Sequence, residues 1–214
     1  DNSKQPNSRW YSGSGIYSDA HLWTAKEEYI SHDKLRITTL SVNDDMAVIE
    51  VCVQLKNIIG HGLEAECLIE IKKDGQKTAS DTQRVVFRSE QMQTVRVQIP
   101  IEHPKKWSPK QPALYECHIT TKFDDKICDE AVSNFGIRVL ALDPVHGLQI
   151  NGEAVKLRGT CIHHDNGVIG AETFKEAEWY RCKRLKEAGF NAIRSAHHPM
   201  SRAMLDACDH IGMR

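Results

Sequence analysis

The hydrophobic pattern of the chain changes its period at about residue 141. Between residues 26 and 140, apolar and polar residues alternate in runs at 49–55, 65–71, 95–101 and 115–123. Alternation with a period of two is typical of strands that bury one face and expose the other, as in antiparallel sheets. Turn residues separate the runs, and about seven short strands in about 110 residues predict an immunoglobulin-like β-sandwich. The chain is therefore predicted to be mainly β.

The remainder of the chain has the order strand, helix, strand, helix. Residues 155–162 and 190–195 predict two buried strands, each followed by a helix, the second at about 201–210. This order predicts parallel strands joined by a right-handed crossover. We therefore expect the first two β/α units of a TIM-type (β/α)8 barrel, preceded by a hairpin that turns at Asn151-Gly152.

The first of these helices is predicted to have one apolar and one charged face. Thr173 and Glu176 have the spacing of a capping box, and Gly189 is placed to end the helix. The expected apolar face consists of Phe174, Ala177, Leu185 and Ala188. Four glutamates are expected on the outer, solvated side rather than in catalysis: Glu172, Glu176, Glu178 and Glu187.

Two polar clusters follow the ends of the two predicted parallel strands. The first contains His163, His164 and Asp165, and the second contains Arg194 and His197, with His198 beside them. Neighbouring strands lie about 5 Å apart, and the carboxyl ends of barrel strands form the active-site mouth. The clusters should therefore face one another. The candidate substrate-binding or supporting residues are Arg194, His197, Asp165, His164 and His163.

A metal centre is the alternative interpretation of these clusters, because histidine and aspartate are ligands for zinc. Adjacent residues on a strand point to opposite faces, so His163 and His164 cannot easily hold one ion. The sequence also lacks an HExxH pattern. We therefore predict no metal ligands. The seven cysteines are widely spaced without a CxxC pair, which predicts free thiols rather than disulfides.

Several motifs resemble glycoside hydrolase family 2. Residues 191–213, NAIRSAHHPMSRAMLDACDHIGM, resemble the first signature of that family, with His198 where the family usually has Tyr. RWYSGSGIY at 9–17 resembles the closing strand of the family's N-terminal jelly-roll domain, with Ser18 in place of the usual Arg. WSPKQPALY at 107–115 and FGIR at 135–138 resemble the end of its sandwich domain.

The resemblance implies that the chain is a piece of a longer enzyme with three parts. Residues 1–25 would be the remnant of the jelly-roll sugar-binding domain, residues 26–140 the whole sandwich domain, and residues 141–214 the start of the catalytic barrel. The motif RGTCIHHDNG at 158–167 resembles the β-galactosidases of the family most. The implied function is that of a retaining exo-β-glycosidase, which hydrolyses terminal β-galactosides in carbohydrate metabolism.

The resemblance also implies roles for the candidate site residues. The residue that matches Arg194 hydrogen-bonds the nucleophile carboxylate, and the residue that matches His197 contacts sugar hydroxyls. Asp165, with His163 or His164, would line the sugar subsite, although the family usually has Glu at position 164. Both catalytic glutamates lie on later barrel strands in the family, so this chain contains no catalytic residue and should be inactive alone.

Other tryptophans and the N-terminus carry weaker expectations. Trp10, Trp23 and Trp107 are candidate platforms for sugar stacking, but the sequence around Trp107 favours a plug at one end of the sandwich. Asp1 lies near the position where the jelly-roll domain of some relatives reaches the sugar.

Two alternatives to a β-galactosidase stay open. One is a β-glucuronidase or β-mannosidase of the same family. The other, from a different class, is a non-catalytic carbohydrate-binding or interaction module. The outer faces of the predicted sandwich argue against it, because they are charged and have no row of aromatic residues.

Charge and hydropathy exclude some partners and leave other properties open. A net charge of −1 gives no basis for nucleic-acid binding, and no apolar run approaches the ~20 residues of a membrane span. The expected partner is a β-galactoside or a related carbohydrate. The reaction requires no cofactor, and nothing here indicates a cation, although the parent enzyme is compatible with one. The segment shows no signal peptide, and both a cytoplasmic and a periplasmic parent protein are consistent with the sequence. A homo-oligomeric parent is also consistent with it.

Overall fold

The computed structural model describes residues 10–11, 13–16, 18–59, 62–88 and 91–214. They form two compact units. The larger unit contains Trp23–Trp107 and Ala113–Ala154, and the smaller contains Ser108–Pro112, Val155–Arg214 and the N-terminal segment up to Leu22. The predicted fold class, a β-sandwich followed by two β/α units, is confirmed.

Eleven strands lie in the described part of the larger unit. They are β1 (Glu28–Ile30), β2 (Arg36–Val42), β3 (Met46–Asn57), β4 (Leu63–Lys73), β5 (Gln76–Phe87), β6 (Met92–Glu102), β7 (Tyr115–Phe123), β8 (Lys126–Phe135), β9 (Leu140–Asp143), β10 (Gly147–Ile150) and β11 (Glu153–Ala154). The first eight form two antiparallel sheets. In one, β6 pairs with β3 from Met46 to Lys56, while β1 and β2 lie end to end on the other edge of β3. The other sheet has the order β5-β4-β7-β8.

The core of the larger unit lies between these sheets and consists of the alternate residues of the strands. Ile49, Val51 and Val53 of β3 are fully buried, as are Ile69 and Ile71 of β4, whereas the residues between them are partly exposed. They belong to one cluster that draws on both sheets. Burial of each such side chain contributes roughly 1.5–3 kcal/mol relative to an exposed one. The period of two in the sequence therefore corresponds directly to this core.

The strands β9, β10 and β11 form a small sheet after the sandwich. Its predicted hairpin is present, because Gln149 pairs with Ala154 across a turn at Asn151 and Gly152. Both turn residues have positive φ angles, 55° and 82°, as the tight turn of a two-residue hairpin requires. This sheet belongs to the larger of the two compact units.

The smaller unit contains two parallel strands and two helices. These are β12 (Gly159–Ile162), α1 (Lys175–Glu187), β13 (Ala192–Ser195) and α2 (Arg202–Ile211). The helices cover one face of the β12–β13 pair, where Ile162 and Ile193 pack against Cys182, Met204 and Ala207. The Ser201 hydroxyl accepts the Met204 amide and begins α2, and Gly212, with φ 79°, ends it.

Four expectations for the smaller unit are wrong in detail. β12 begins at Gly159 rather than at residue 155, because only from Gly159 onward does the chain pair with β13. The predicted capping box does not form: α1 begins after Phe174, and the Thr173 hydroxyl donates to Glu178 instead of capping the helix. Phe174 is about half exposed, so it lies outside the core. Glu178 is buried rather than solvated.

The predicted closing strand of a jelly-roll domain falls in the N-terminal segment. Asp1 and Arg9, with the rest of residues 1–9, lie outside the described residues, as do Ser12 and Tyr17. The described residues before Glu28 form no strand. Over the described residues, no helix has the length and apolar character needed to cross a membrane.

Candidate active-site mouth

The two faces of the β12–β13 pair have different surroundings. The register pairs Cys161 with Arg194 and Ile162 with Ser195. Side chains that are paired in a parallel ladder lie on the same face, and neighbours along a strand alternate. Ile162 packs under the helices, so Cys161 and Arg194 project from the opposite face. In a (β/α)8 barrel the helices form the outer layer, so this uncovered face corresponds to the barrel interior.

Arg194 is exposed on that interior face. Its Nη1 atom lies 3.5 Å from Cys161 Sγ. No carboxylate of the described residues forms an ion pair with it. A guanidinium group presents a planar fork that can hold a carboxylate through two hydrogen bonds. The geometry of Arg194 is therefore suited to binding a carboxylate.

His163 and His197 come together beyond the ends of the strands, and Trp10 joins them. The His163 and His197 ring centroids are 5.6 Å apart, edge to face. The Trp10 ring stacks on His163 at 4.3 Å with an interplanar angle of 11°, and meets the edge of His197 at 5.7 Å. The sequence predicted that the two histidines would face each other. Trp10 was predicted as a candidate platform for sugar stacking, but the sequence did not predict its contact with His163.

His164 contacts a different partner from its neighbour His163. Its ring lies 4.5 Å from that of His198, edge to face. Burial lowers the pKa of the His164 imidazole below the usual 6.5, and the nearby His198 lowers it further, whereas Asp165 opposes the shift. The two adjacent histidines thus belong to two separate ring pairs, as expected for side chains that point to opposite sides.

Asp165 connects the mouth to the N-terminal segment. Its Oδ2 atom accepts a hydrogen bond from the Tyr11 backbone N–H at 3.2 Å. Tyr11 and Trp10 thus reach residues that lie more than 150 positions later in the chain. A backbone donor leaves no trace in the residue pattern, so the sequence did not predict this contact.

The other candidate tryptophans belong to the larger unit. Trp107 is fully buried in the larger unit, with the Arg138 guanidinium 4.4 Å above its ring. Trp23 is largely exposed and stacks on His32. All seven cysteines are free thiols. In the part of the chain that the structure describes, no group of three or more His, Cys, Asp or Glu residues could hold a metal ion.

The lowered pKa of His164 predicts a dependence of stability on pH. The folded state binds this proton more weakly than the unfolded chain, so the unfolded chain takes up more protons as the pH falls below about 6.5. The free energy of unfolding should therefore fall between about pH 7 and pH 5. We expect a smaller fall for His164→Gln, measured as the urea midpoint at both pH values.

The matched control for this measurement is His21→Gln, because His21 is exposed. It should keep the wild-type pH dependence. An equal fall in the midpoint of wild type and His164→Gln would contradict the assignment of the effect to His164.

The fold and this mouth define the class of the protein: a β-sandwich joined to the start of a (β/α)8 barrel, with a histidine and arginine cluster at the strand ends. Comparison with known families agrees. Residues 29–138 match Glycosyl hydrolases family 2, and residues 144–214 match Glycosyl hydrolases family 2, TIM barrel domain. The chain belongs to glycosyl hydrolase family 2.

Individual relatives carry two kinds of name. The chain is 31% identical to beta-galactosidase BoGH2A of Bacteroides ovatus, over 99% of this chain and 25% of that protein. It is 29% identical to a beta-glucuronidase of Bacteroides fragilis, over 93% of this chain and 29% of the relative. A solved family 2 member from Bacteroides cellulosilyticus superposes with a TM-score of 0.93 at 35% identity, over 98% of this chain and 29% of that chain. The chain thus spans about a quarter of the length of such relatives.

Proposed function

We propose that the chain is part of a longer retaining exo-β-glycosidase that hydrolyses terminal β-galactosides. The observation that supports this most is the position of Arg194 on the interior face of two parallel strands, together with the His163–His197 pair beyond the ends of the same strands. Family membership makes a glycosidase the expected chemistry, and a relative named beta-galactosidase favours the galactoside. The division into residues 1–25, 26–140 and 141–214 rests on the motifs that resemble the family and is also part of the proposal.

The role proposed for Arg194 follows from the requirements of retention. A retaining glycosidase uses two carboxyl groups about 5–5.5 Å apart, one as the nucleophile and one as the acid/base. The resemblance implies that both are glutamates of later barrel strands. Arg194 would hold the nucleophile carboxylate in its ionised form, because a nearby cation favours the charged state. It would also fix the carboxylate in line with the sugar carbon that reacts.

The roles proposed for the surrounding residues concern the sugar itself. His197 and His163 would donate or accept hydrogen bonds at sugar hydroxyls, and the Asp165 carboxylate would accept one. Trp10 would provide an apolar wall, because its ring already packs against both histidines. Contacts to hydroxyl groups that strengthen in the oxocarbenium-like transition state contribute several kcal/mol in such enzymes.

The direct test is hydrolysis of aryl β-glycosides by the complete reading frame that encodes this segment. We expect turnover of the aryl β-galactoside and little turnover of the β-glucuronide or β-mannoside, measured as kcat/KM. The 214-residue chain alone should be inactive, because it matches neither catalytic glutamate of the family.

Three results would contradict parts of this proposal. Turnover by the 214-residue chain would show that the catalytic groups lie within it. A preference for the β-glucuronide would establish the second candidate, which the Bacteroides fragilis relative supports by its name. Inactivity of the complete protein on all three sugars would leave a non-catalytic sugar-binding protein.

A further inference from the structure

An ion pair between a buried carboxylate and a partly buried guanidinium lies on α1, on the side of the helix that faces the β12–α1 loop. The Glu178 residue is 2% exposed. Its Oε2 atom lies 3.4 Å from Arg181 Nη1, and its Oε1 atom accepts the Thr173 hydroxyl at 2.9 Å. The pair has the i, i+3 spacing that places two side chains next to each other on a helix. None of the residues assigned to the mouth belongs to it.

Arg181 extends from this pair to the backbone of the mouth loop. Its Nη2 atom donates to the His163 carbonyl oxygen at 3.0 Å, and its Nη1 atom donates to Asn166 Oδ1 at 3.1 Å. Asn166 in turn fixes the remainder of the loop, since its N–H donates to Gly170 O at 2.7 Å and its Nδ2 donates to Glu172 O at 3.3 Å. One guanidinium group therefore fixes the two ends of the segment His163 to Asn166, which contains His164 and Asp165.

A contribution to the stability of the fold does not explain this ion pair well. A buried ion pair loses hydration energy on folding, and its replacement by apolar residues of similar size is often neutral or stabilising. Here the guanidinium also donates to the His163 carbonyl oxygen and to the Asn166 side-chain oxygen, which both belong to the loop. The contacts thus favour one loop conformation, the one in which His163 meets Trp10 and His197.

We propose that Glu178 and Arg181 are positioning residues, which hold the His163–Asn166 backbone so that His163 and Asp165 face the sugar. Glu178 orients Arg181, and Arg181 fixes the loop. The inference rests on the proposed glycosidase function for its catalytic consequence, whereas the effect on the loop is independent of that function.

The test uses the complete protein with three variants: Arg181→Met, Glu178→Leu/Arg181→Met and the control Arg184→Met. Arg184 lies on the same helix but pairs at the surface with Glu187 and is 64% exposed. Arg181→Met leaves the Glu178 charge buried without a cation, so it should lower the Tm. The double variant removes both charges and should recover the Tm. The readouts are Tm, kcat/KM for the aryl β-galactoside, and amide hydrogen exchange of residues 163–172.

If the pair positions the loop, both Arg181 variants should exchange these amides faster and lose about 10- to 100-fold in kcat/KM, because small misplacements of contact groups have effects of that size. Recovery of the Tm without recovery of kcat/KM in the double variant would separate positioning from stability. Arg184→Met should match wild type in all three readouts.

Recovery of kcat/KM together with the Tm in the double variant would overturn the proposal, because the pair would then act on stability alone. Unchanged exchange of residues 163–172 in Arg181→Met would overturn it as well. If wild type hydrolyses no aryl glycoside, the proposed function fails, and the exchange measurement still decides whether the pair fixes the loop.

Discussion

Replacement of Arg194 by alanine in the complete protein is expected to lower kcat/KM for an aryl β-galactoside by about 10²- to 10³-fold. The physical reason is the position of the guanidinium on the interior face of the β12–β13 pair, with no carboxylate partner among the described residues. In the proposed enzyme, loss of the guanidinium would deprive the nucleophile carboxylate of both its orientation and the cation that keeps it ionised. Steady-state kinetics of the purified variant give the measurement.

Two further variants make this expectation specific. Arg194→Lys keeps the charge but not the planar fork, so it should recover part of the loss and stay roughly tenfold below wild type. Arg202→Ala is the matched control, because Arg202 is 81% exposed on α2 and forms its ion pair with the nearby Asp206 carboxylate. It should have wild-type kcat/KM. A fully active Arg194→Ala enzyme would exclude the proposed role of this residue.

The sandwich was predictable from the sequence because its signal is local. Within each strand, apolar residues alternate with polar ones, and the apolar residues face the core. The alternation within β3 alone therefore predicts that Ile49, Val51 and Val53 are buried, as they are. The mouth was predictable for a different reason. Once β12 and β13 are parallel neighbours, their carboxyl ends must lie together, which brings His163 to His197 without any knowledge of side-chain packing.

The contacts that the sequence did not predict depend on tertiary structure. The stack of Trp10 on His163 and the bond from Tyr11 to Asp165 join residues far apart in the chain. The prediction that Glu178 is solvated was wrong for a related reason. Charge alone assigns a glutamate to the outer face of a helix, but Thr173 and Arg181 supply polar partners that make the buried position of Glu178 favourable.

The largest effect on stability is expected at Trp107 in the sandwich unit. Trp107→Ala should lower the free energy of unfolding by about 3–5 kcal/mol, because the ring is fully buried and its loss leaves a cavity. The backbone around it is also fixed, since the Trp107 N–H donates to Ile137 O at 2.8 Å and its carbonyl accepts Asn151 Nδ2 at 3.0 Å. Urea unfolding followed by far-UV circular dichroism measures the change.

A substitution at Gly136 tests the packing around Trp107 by adding an atom instead of removing the ring. A Cβ atom at this position would lie 2.7 Å from Trp107 Cβ, 2.8 Å from Cγ and 2.9 Å from Cδ1. Because hydrogen bonds hold the Trp107 backbone, we expect Gly136→Ala to cost roughly 3 kcal/mol. Gly62→Ala is the control, since its nearest neighbour would be Phe87 O at an ordinary 3.7 Å. It should change the stability by less than about 1 kcal/mol.

A double-mutant cycle distinguishes a direct clash from two independent defects. Trp107→Ala removes Cγ and Cδ1, so Gly136→Ala should cost at least about 1 kcal/mol less in that background than in wild type. Trp107→Phe keeps Cβ, Cγ and a Cδ1 atom, so the clash should persist and the cost of Gly136→Ala should stay near its wild-type value. Equal costs of Gly136→Ala in the alanine and phenylalanine backgrounds would show that the tryptophan ring does not set the requirement for glycine. The requirement would then arise from the Trp107 Cβ and the backbone alone, because the alanine variant still carries that atom.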